Sequence, residues 1–570
     1  MTPSSLPRLS ALATAMLLAA CGSDSNDPAP SPPPEPERLA CAQISGTSLG
    51  MGNLRITQAQ EIAATATDPA YCKVVGYLDD RVSPVDGKPY AIGFEGRLPL
   101  SWNGRFYFQG GGGTDGAIQP AVGSLPGAGN TTNALAMGYA VFSTDGGHTS
   151  ESAPVVGGAL FGLDPQARVD YGYNAVGEVT TTGKRIVERF YGNEPDYSYF
   201  VGCSNGGRQA MVAASRFADQ FDGVIAGNPG FNLPQSGVQH AWDVQALARV
   251  APLYEDGKPI LAQAFSPGDM QLVASSVLAT CDALDGLEDG MIANPPACAA
   301  AFNPASLTCA AGKTDTCLTA EQVNSLQAMF DGPRNSAGQA LYTDWPYDAG
   351  VASFGWRIWK LGTSETSSPN SLIATLGGGA LPYIFMTPPA PVSGLNNGVL
   401  DYLLAYNFDR DAPGIFATNG TYTESAMSFM TPPNPTAFDA FRARGGKMIV
   451  YHGNSDPVFS VNDSIRWHNA LQQRHGAQAT QDFARLFTIP GMAHCSGGPA
   501  TDKFDMLTAL TRWVEDGQAP SQVVAYARAD NPDAAAFPNR SRPLCPHPQQ
   551  PRYTGNGNPE DASNFQCVMP

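Results

Sequence analysis

Residues 198–215, "SYFVGCSNGGRQAMVAAS", constrain the fold of this chain more than any other stretch. Tyr199, Phe200 and Val201 read as the end of a buried strand, and Gly206 and Gly207 open a segment whose Ala and Met positions read as helix. Between them, Gly202-Cys203-Ser204-Asn205-Gly206 is a G-x-S-x-G sequence on a sharp strand–turn–helix. Such a turn needs small residues around the serine. It lifts the hydroxyl out and aims a helix N-terminus at the reaction centre, where developing negative charge is favoured. The competing reading is a glycine-rich turn with an incidental serine.

A serine hydroxyl is a weak nucleophile without a general base that a carboxylate holds in place. In an α/β-hydrolase the chain order is Ser, then Asp or Glu, then His, each at a strand end. "GGKMIVYHGNSDPVFS" carries a strand at Met448–Tyr451 and then Asp456; "FARLFTIPGMAHCSGG" carries a strand at Leu486–Ile489 and then His494. His452 precedes the acid and reads as structural, and His468 lies in a predicted helix, where packing or solvation is the default. Asp145 and His148 in "FSTDGGHTS" precede the serine and read as scaffolding near the site. Ser204, Asp456 and His494 are therefore the predicted triad.

Acyl transfer also needs donors for the oxyanion. One is the backbone N–H of Asn205. The other is expected from "GRFYFQGGGGTDG", where a strand ends at Gln109 and Gly110–Gly113 let backbone approach a ligand without side-chain obstruction. Gly113 is the predicted second donor and Gly112 its near alternative. A phosphate-cradling loop is the rival, but the G-K-[ST] ending is absent.

The amino terminus reads as a targeting segment. Arg8 precedes the apolar "ALATAMLLAA", too short to span a bilayer, and residues 1–21 end in a lipobox-like Leu18-Ala19-Ala20-Cys21. Cys21 is the expected lipidation site, with an ordinary secretory signal as the alternative. Residues 22–38 form a Pro/Ser/acidic tether with nothing to bury. The expectation is an exported protein, either anchored to the outer membrane or secreted or periplasmic, and otherwise monomeric. The net charge of −18 without a basic run makes nucleic acid and anionic membrane faces poor partners.

Export gives the cysteines a meaning. Eleven less Cys21 leaves ten, an even number in an oxidising compartment. Sequence order suggests local pairs, Cys41–Cys72, Cys281–Cys298, Cys309–Cys317 and Cys545–Cys567, leaving Cys203 and Cys495. Spacing alone does not fix connectivity. A bridge between Cys203 and Cys495 would tie the serine turn to the histidine loop and hold base and nucleophile in reach. A cysteine-ligated zinc lacks any C-x-x-C pair to support it. Cys203 as the nucleophile is opposed by its place beside, not at, the centre of the turn.

Together these pieces resemble the tannase/feruloyl esterase family of α/β-hydrolases. The Cys203-Ser204 pair, Asp456, the His494-Cys495 pair and the glycine loop carry the resemblance. So do "SWNGRFYFQGGGGT", "TDGGH", "FGLDPQARVDYGYN", "CDALDGLEDG", "GGKMIVYHGNSD", "PGMAHCSGGPATDKFDML" and "RPLCPHPQ", spread over nearly the whole mature chain. The resemblance implies an α/β-hydrolase core at 39–230 and 434–570, with a large lid at 231–433 inserted between nucleophile and triad acid. It implies the five disulfides above and a structural Ca²⁺ in the lid. The calcium ligands would be Asp282, Asp285 and Asp289 with the carbonyls of Leu287 and Met291, oxygen donors that suit a hard cation. An acidic surface turn pinned by Cys281 is the alternative. No organic cofactor is implied.

The resemblance also implies that Trp359 in "GWRIWKLG" and Phe459 in "DPVFS" line an aryl pocket. Two departures stand out. A family member that takes a terephthalate monoester holds its free carboxylate with a lid arginine; the matching stretch here, "SSPNSLIATLGGGALPY", has none, leaving Arg357 or Lys360 as substitutes. The residue after the serine is Asn205 instead of glutamate. The expected function is a serine esterase for small aromatic esters, with terephthalate monoester, ferulate and gallate esters open. The rival is a non-catalytic, calcium-stabilised surface binding lipoprotein on the same fold.

Overall fold

The strands of the central sheet are mostly unbroken apolar runs, such as Met448–Tyr451, all of which are buried. Strands of that kind belong in a sheet covered on both faces. The computed structural model describes residues 38–128, 132–150, 155–393 and 396–570. The expected leader with Cys21, and all of the tether but Arg38, lie outside the described residues.

Nine strands form one mixed sheet: β1 (Leu54–Ile62), β2 (Tyr71–Val82), β3 (Pro89–Pro99), β4 (Arg105–Gln109), β5 (Ala140–Thr144), β6 (Tyr197–Cys203), β7 (Gly223–Gly227), β8 (Lys447–Gly453) and β9 (Ala484–Ile489). Their spatial order is β1-β2-β3-β5-β4-β6-β7-β8-β9. β1, β2, β3 and β5 pair antiparallel, and the run from β5 through β4 to β9 is parallel. Side chains alternate between two cores. Phe106, Phe108, Phe200, Val224 and Val450 face one side, against Ala210 and Trp467 of flanking helices. Tyr107, Tyr199, Val201, Ile225 and Tyr451 face the other, against Leu510 and Trp513.

The long interval between β7 and β8 is helical and has a core of its own, from Val238 and Leu247 through Leu326 to Leu400 and Phe429. Tyr90, Phe161 and Tyr171 from the amino-terminal half join this third core. The parallel strands all end on the same edge, where the loops after β4, β6, β7, β8 and β9 meet beneath this helical segment. Ligands of open parallel sheets bind outside the carboxyl ends of the strands.

Candidate active site

Ser204 sits between β6 and the helix Asn205–Arg216 with φ 64° and ψ −125°. That left-handed conformation is costly for a non-glycine residue, about 1–3 kcal/mol, and persists because the surroundings impose it. Its N–H donates to Gly227 O at 2.9 Å, which pins the turn to β7. The turn is crowded: a Cβ on Gly206 would lie 2.6 Å from Gly111 O, and one on Gly202 2.6 Å from the Gly206 carbonyl carbon. The glycines of the motif thus answer to close backbone approach.

The loops after β8 and β9 bring Asp456 and His494 to this serine. His494 Nε2 is 2.8 Å from Ser204 Oγ, and its Nδ1 is 2.8 Å from Asp456 Oδ2. Asp456 is buried and accepts from Val458 N–H at 2.7 Å, Phe459 N–H at 3.2 Å and the Asn228 amide at 2.7 Å. Burial opposes its charge, but the adjacent His494 and hydrogen bonds from His452 and His494 hold the carboxyl well below the usual range. That environment favours the ionised form of the carboxyl.

His452 is buried behind the acid, with Nδ1 2.8 Å from Ser464 Oγ and Nε2 3.0 Å from Phe459 O and 3.4 Å from Asp456 Oδ2. His468 is wholly buried in the helix Val461–His475. The Asp145 carboxyl accepts from Gly93 and Gly147 N–H and its carbonyl from Gly116 N–H at 2.9 Å, and His148 contacts Thr114 O at 2.8 Å; both residues brace the loop that follows β4.

In that loop the candidate donors separate. Gly112 N–H donates to Asp115 Oδ1 at 2.9 Å, so the near alternative is spent on the loop itself and does not line the pocket. Gly111 N–H likewise donates to Gln209 Oε1 at 2.9 Å. Gly113, at φ 58°, has its carbonyl held by the Tyr171 hydroxyl at 2.9 Å, and its N–H meets no acceptor among the described residues. Asn205 N–H is the first of its helix and has no carbonyl one turn earlier to bond.

Ser204, Asn205 and Gly113 line one pocket with Trp359, Phe459, Leu376 and Phe385. The Trp359 and Phe459 rings stand 5.1 and 5.4 Å from the His494 imidazole, both at 74°. Among the described residues, no lysine or arginine lines this pocket. Arg357 donates to the carbonyls of Ala262 and Phe265, and Lys360 is buried against Asp243. Neither substitutes for a carboxylate-binding arginine.

Five disulfides join Cys41–Cys72, Cys203–Cys495, Cys281–Cys298, Cys309–Cys317 and Cys545–Cys567. Cys203 is therefore no free nucleophile, and no cysteine remains among these ten for zinc. In the 282–291 loop, Asp282 accepts from the N–H groups of Asp289 and Gly290, and Asp285 from those of Leu287 and Ala293. Asp289 is paired with Arg542 at 2.5 Å. Among the described residues, no three His, Cys, Asp or Glu side chains converge as metal ligands. Asp285, Leu287, Asp289 and Met291 nevertheless line one cavity. Burial, then the charges of Asp289 and Asp282, push Asp285 up to about 6. That mutual repulsion and the carbonyl oxygens fit a hard cation in chemical kind.

Sequence reasoning missed Asn228, Tyr171 and Asp115. Asn228 follows β7 at the same edge as the triad residues, and a polar residue at a core strand's carboxyl end was the available signal.

The model of the "Tannase and feruloyl esterase" family matches residues 72–568. The chain is 43% identical to a mono(2-hydroxyethyl) terephthalate hydrolase of Piscinibacter sakaiensis, over 89% of this chain and 86% of that protein. It is 30% identical to a probable feruloyl esterase of Arthroderma benhamiae, over 83% of this chain and 81% of that one. The crystal structure of feruloyl esterase B from Aspergillus oryzae superposes with a TM-score of 0.70 at 23% identity, covering 91% of this chain and 97% of that chain. The fold is that of the α/β-hydrolases, and this chain belongs to the tannase and feruloyl esterase family.

Proposed function

We propose that the chain hydrolyses small aromatic carboxylic esters through an acyl-enzyme on Ser204. His494 Nε2 takes the Ser204 proton as Oγ attacks the ester carbonyl. Asp456 keeps the imidazole in the tautomer that accepts at Nε2 and offsets the imidazolium charge. The oxyanion is received by the N–H groups of Gly113 and Asn205. His494 then protonates the departing alcohol, and water, activated by the same imidazole, releases the acid. The observation that carries the reading is the continuous Ser204–His494–Asp456 hydrogen-bonded line at the floor of an aromatic-walled pocket. Nothing favours a non-catalytic binding role, since no member of the line is missing.

Trp359 and Phe459 stack against the aromatic acyl group, and the helical segment 231–433 acts as a lid over the core formed by 39–230 and 434–570. A pocket wall without cations suits an uncharged acyl group better than one with a free carboxylate. Hydrolysis of a panel tests this: terephthalate monoester, methyl ferulate, methyl gallate and p-nitrophenyl acetate. Turnover of the ferulate or gallate ester at least tenfold above the terephthalate monoester supports the reading. A preference for the terephthalate monoester contradicts the reading of the pocket, and no turnover of any aromatic ester contradicts the function.

A structural Ca²⁺ held by Asp282, Asp285, Asp289 and the Leu287 and Met291 carbonyls belongs to the same proposal. It supplies charge neutralisation to the loop and takes no part in the chemistry. Export with lipidation at Cys21 rests on the lipobox-like leader.

A further inference from the structure

The loop after β4 and the helix that follows Ser204 each contribute one oxyanion donor, yet they come from separate parts of the chain. Their relative position therefore needs a tie, and one carboxylate lies between them. Asp115 Oδ1 accepts from Gly112 N–H at 2.9 Å. Its Oδ2 accepts from the Asn205 side-chain amide at 2.9 Å and from Gln209 Nε2 at 2.8 Å. Asp115 N–H also donates to Gly112 O at 2.9 Å. The tie is doubled on the far side, where Gln209 Oε1 accepts from Gly111 N–H. The Asn205 side chain is itself fixed, since its Oδ1 accepts from buried Arg208 Nε at 2.8 Å. The fit of the carboxylate is tight enough that a Cβ on Gly111 would lie 1.9 Å from Asp115 Oδ1.

We propose that Asp115 is a positioning residue for the reaction: by accepting from the glycine loop and the elbow helix at once, it fixes the spacing between the Gly113 and Asn205 N–H groups. Each hydrogen-bond partner of its two oxygens is a donor. A side chain of equal shape that itself donates cannot satisfy all three. The inference also explains why an amide follows the nucleophile in this chain. A carboxylate at 205 would oppose Asp115, whereas Asn205 donates to it. The proposal rests on the reading of Ser204 as nucleophile with its oxyanion at Gly113 and Asn205.

The test is Asp115→Asn in the full chain, assayed on the best substrate of the panel. The introduced amide would face two other amides, so kcat should fall at least ~100-fold, as when one oxyanion donor is lost, with KM within about threefold. Inhibition by phenylboronic acid, which forms a tetrahedral adduct on the nucleophile, should weaken by a comparable factor, while product-acid inhibition stays within about threefold. The double variant Asp115→Asn/Gln209→Glu puts an acceptor opposite the new amide while still accepting from Gly111, and should recover at least ~10-fold in kcat. Asn205→Ala keeps the backbone donor while removing the tie and the acceptor of Arg208 Nε, and should lose about tenfold in kcat even if the Asp115 variant does not fold. Asp115→Asn or Asn205→Ala within threefold of wild-type kcat overturns the inference and leaves the esterase reading standing. A wild-type protein inactive on every ester overturns both.

Discussion

Cys203 and Cys495 lie 292 positions apart in the chain, yet their α-carbons are 6.2 Å apart and their sulfurs are bonded. Each is the immediate neighbour of a residue in the Ser204–His494 hydrogen bond. The bridge clamps the elbow to the histidine loop, and Cys495 takes a left-handed φ of 62° to allow it. Replacing both cysteines by serine should lower stability by about 5–6 kcal/mol at most in the chain-entropy account. It should also lower kcat more than it raises KM, because the imidazole is no longer held in place. Thermal unfolding and steady-state kinetics of Cys203→Ser/Cys495→Ser read both effects.

Asp456 holds His494 and is in turn held by Asn228. Asp456→Asn should cut kcat by about 10⁴, since an amide favours the wrong imidazole tautomer. Asn228→Ala removes one of several donors to the carboxylate and should cost about tenfold. An Asn228→Ala effect as large as that of Asp456→Asn would mean that Asn228 acts on more than the carboxylate.

Trp359 and Phe459 wall the pocket beside His494. Trp359→Ala should raise KM for an aromatic acyl ester about tenfold and change KM for p-nitrophenyl acetate much less, because stacking contributes on the order of 1 kcal/mol beyond burial. Equal losses on both esters would assign the tryptophan to packing.

His468 is wholly buried, 5.6 Å from His547, and burial pulls it down to about 4 from an ordinary 6.5. A depressed folded-state value means that the neutral ring's stability is present above about 6.5 and is lost as pH falls through about 4. The unfolded chain takes up the proton first, so wild type should lose up to about 3 kcal/mol at this site over that window. The His468→Leu variant has no proton to take up there. The melting midpoint of wild type minus that of the variant should therefore fall between pH 7.5 and pH 4.5. A difference that stays constant would mean that the histidine titrates normally.

The acidic loop 282–291 offers a check independent of activity. Chelation with EDTA should lower the melting midpoint by several degrees, and excess Ca²⁺ should restore it. Asp285→Asn should remove the response. An unchanged midpoint with and without chelator would leave the loop as an acidic turn neutralised by Arg542.

Much of the site was legible in the sequence because its residues stand where strands end. Ser204, Asp456 and His494 each follow an apolar run, and only one chain order suits an α/β-hydrolase. The glycine loop was legible for the same reason, but the choice within it was not. Which glycine keeps a free N–H depends on Asp115 and Gln209, whose side chains reach across from 3 and 98 residues away. Asn228 and Tyr171 escaped because their work is tertiary: an amide on Asp456 and a hydroxyl on Gly113 O have no local pattern. The three antiparallel strands β1–β3 were equally silent, since the motif describes only the parallel half of the sheet.

The central claim is that one hydroxyl, Ser204 Oγ, is made nucleophilic by His494 and Asp456. It is tested most directly by incubating wild type and Ser204→Ala with a fluorophosphonate and locating the adduct by mass spectrometry of peptides. The account predicts one adduct, on Ser204, formed in wild type and absent from Ser204→Ala, with ester hydrolysis lost in step. Equal labelling of the two proteins, or an adduct on another residue, would contradict it.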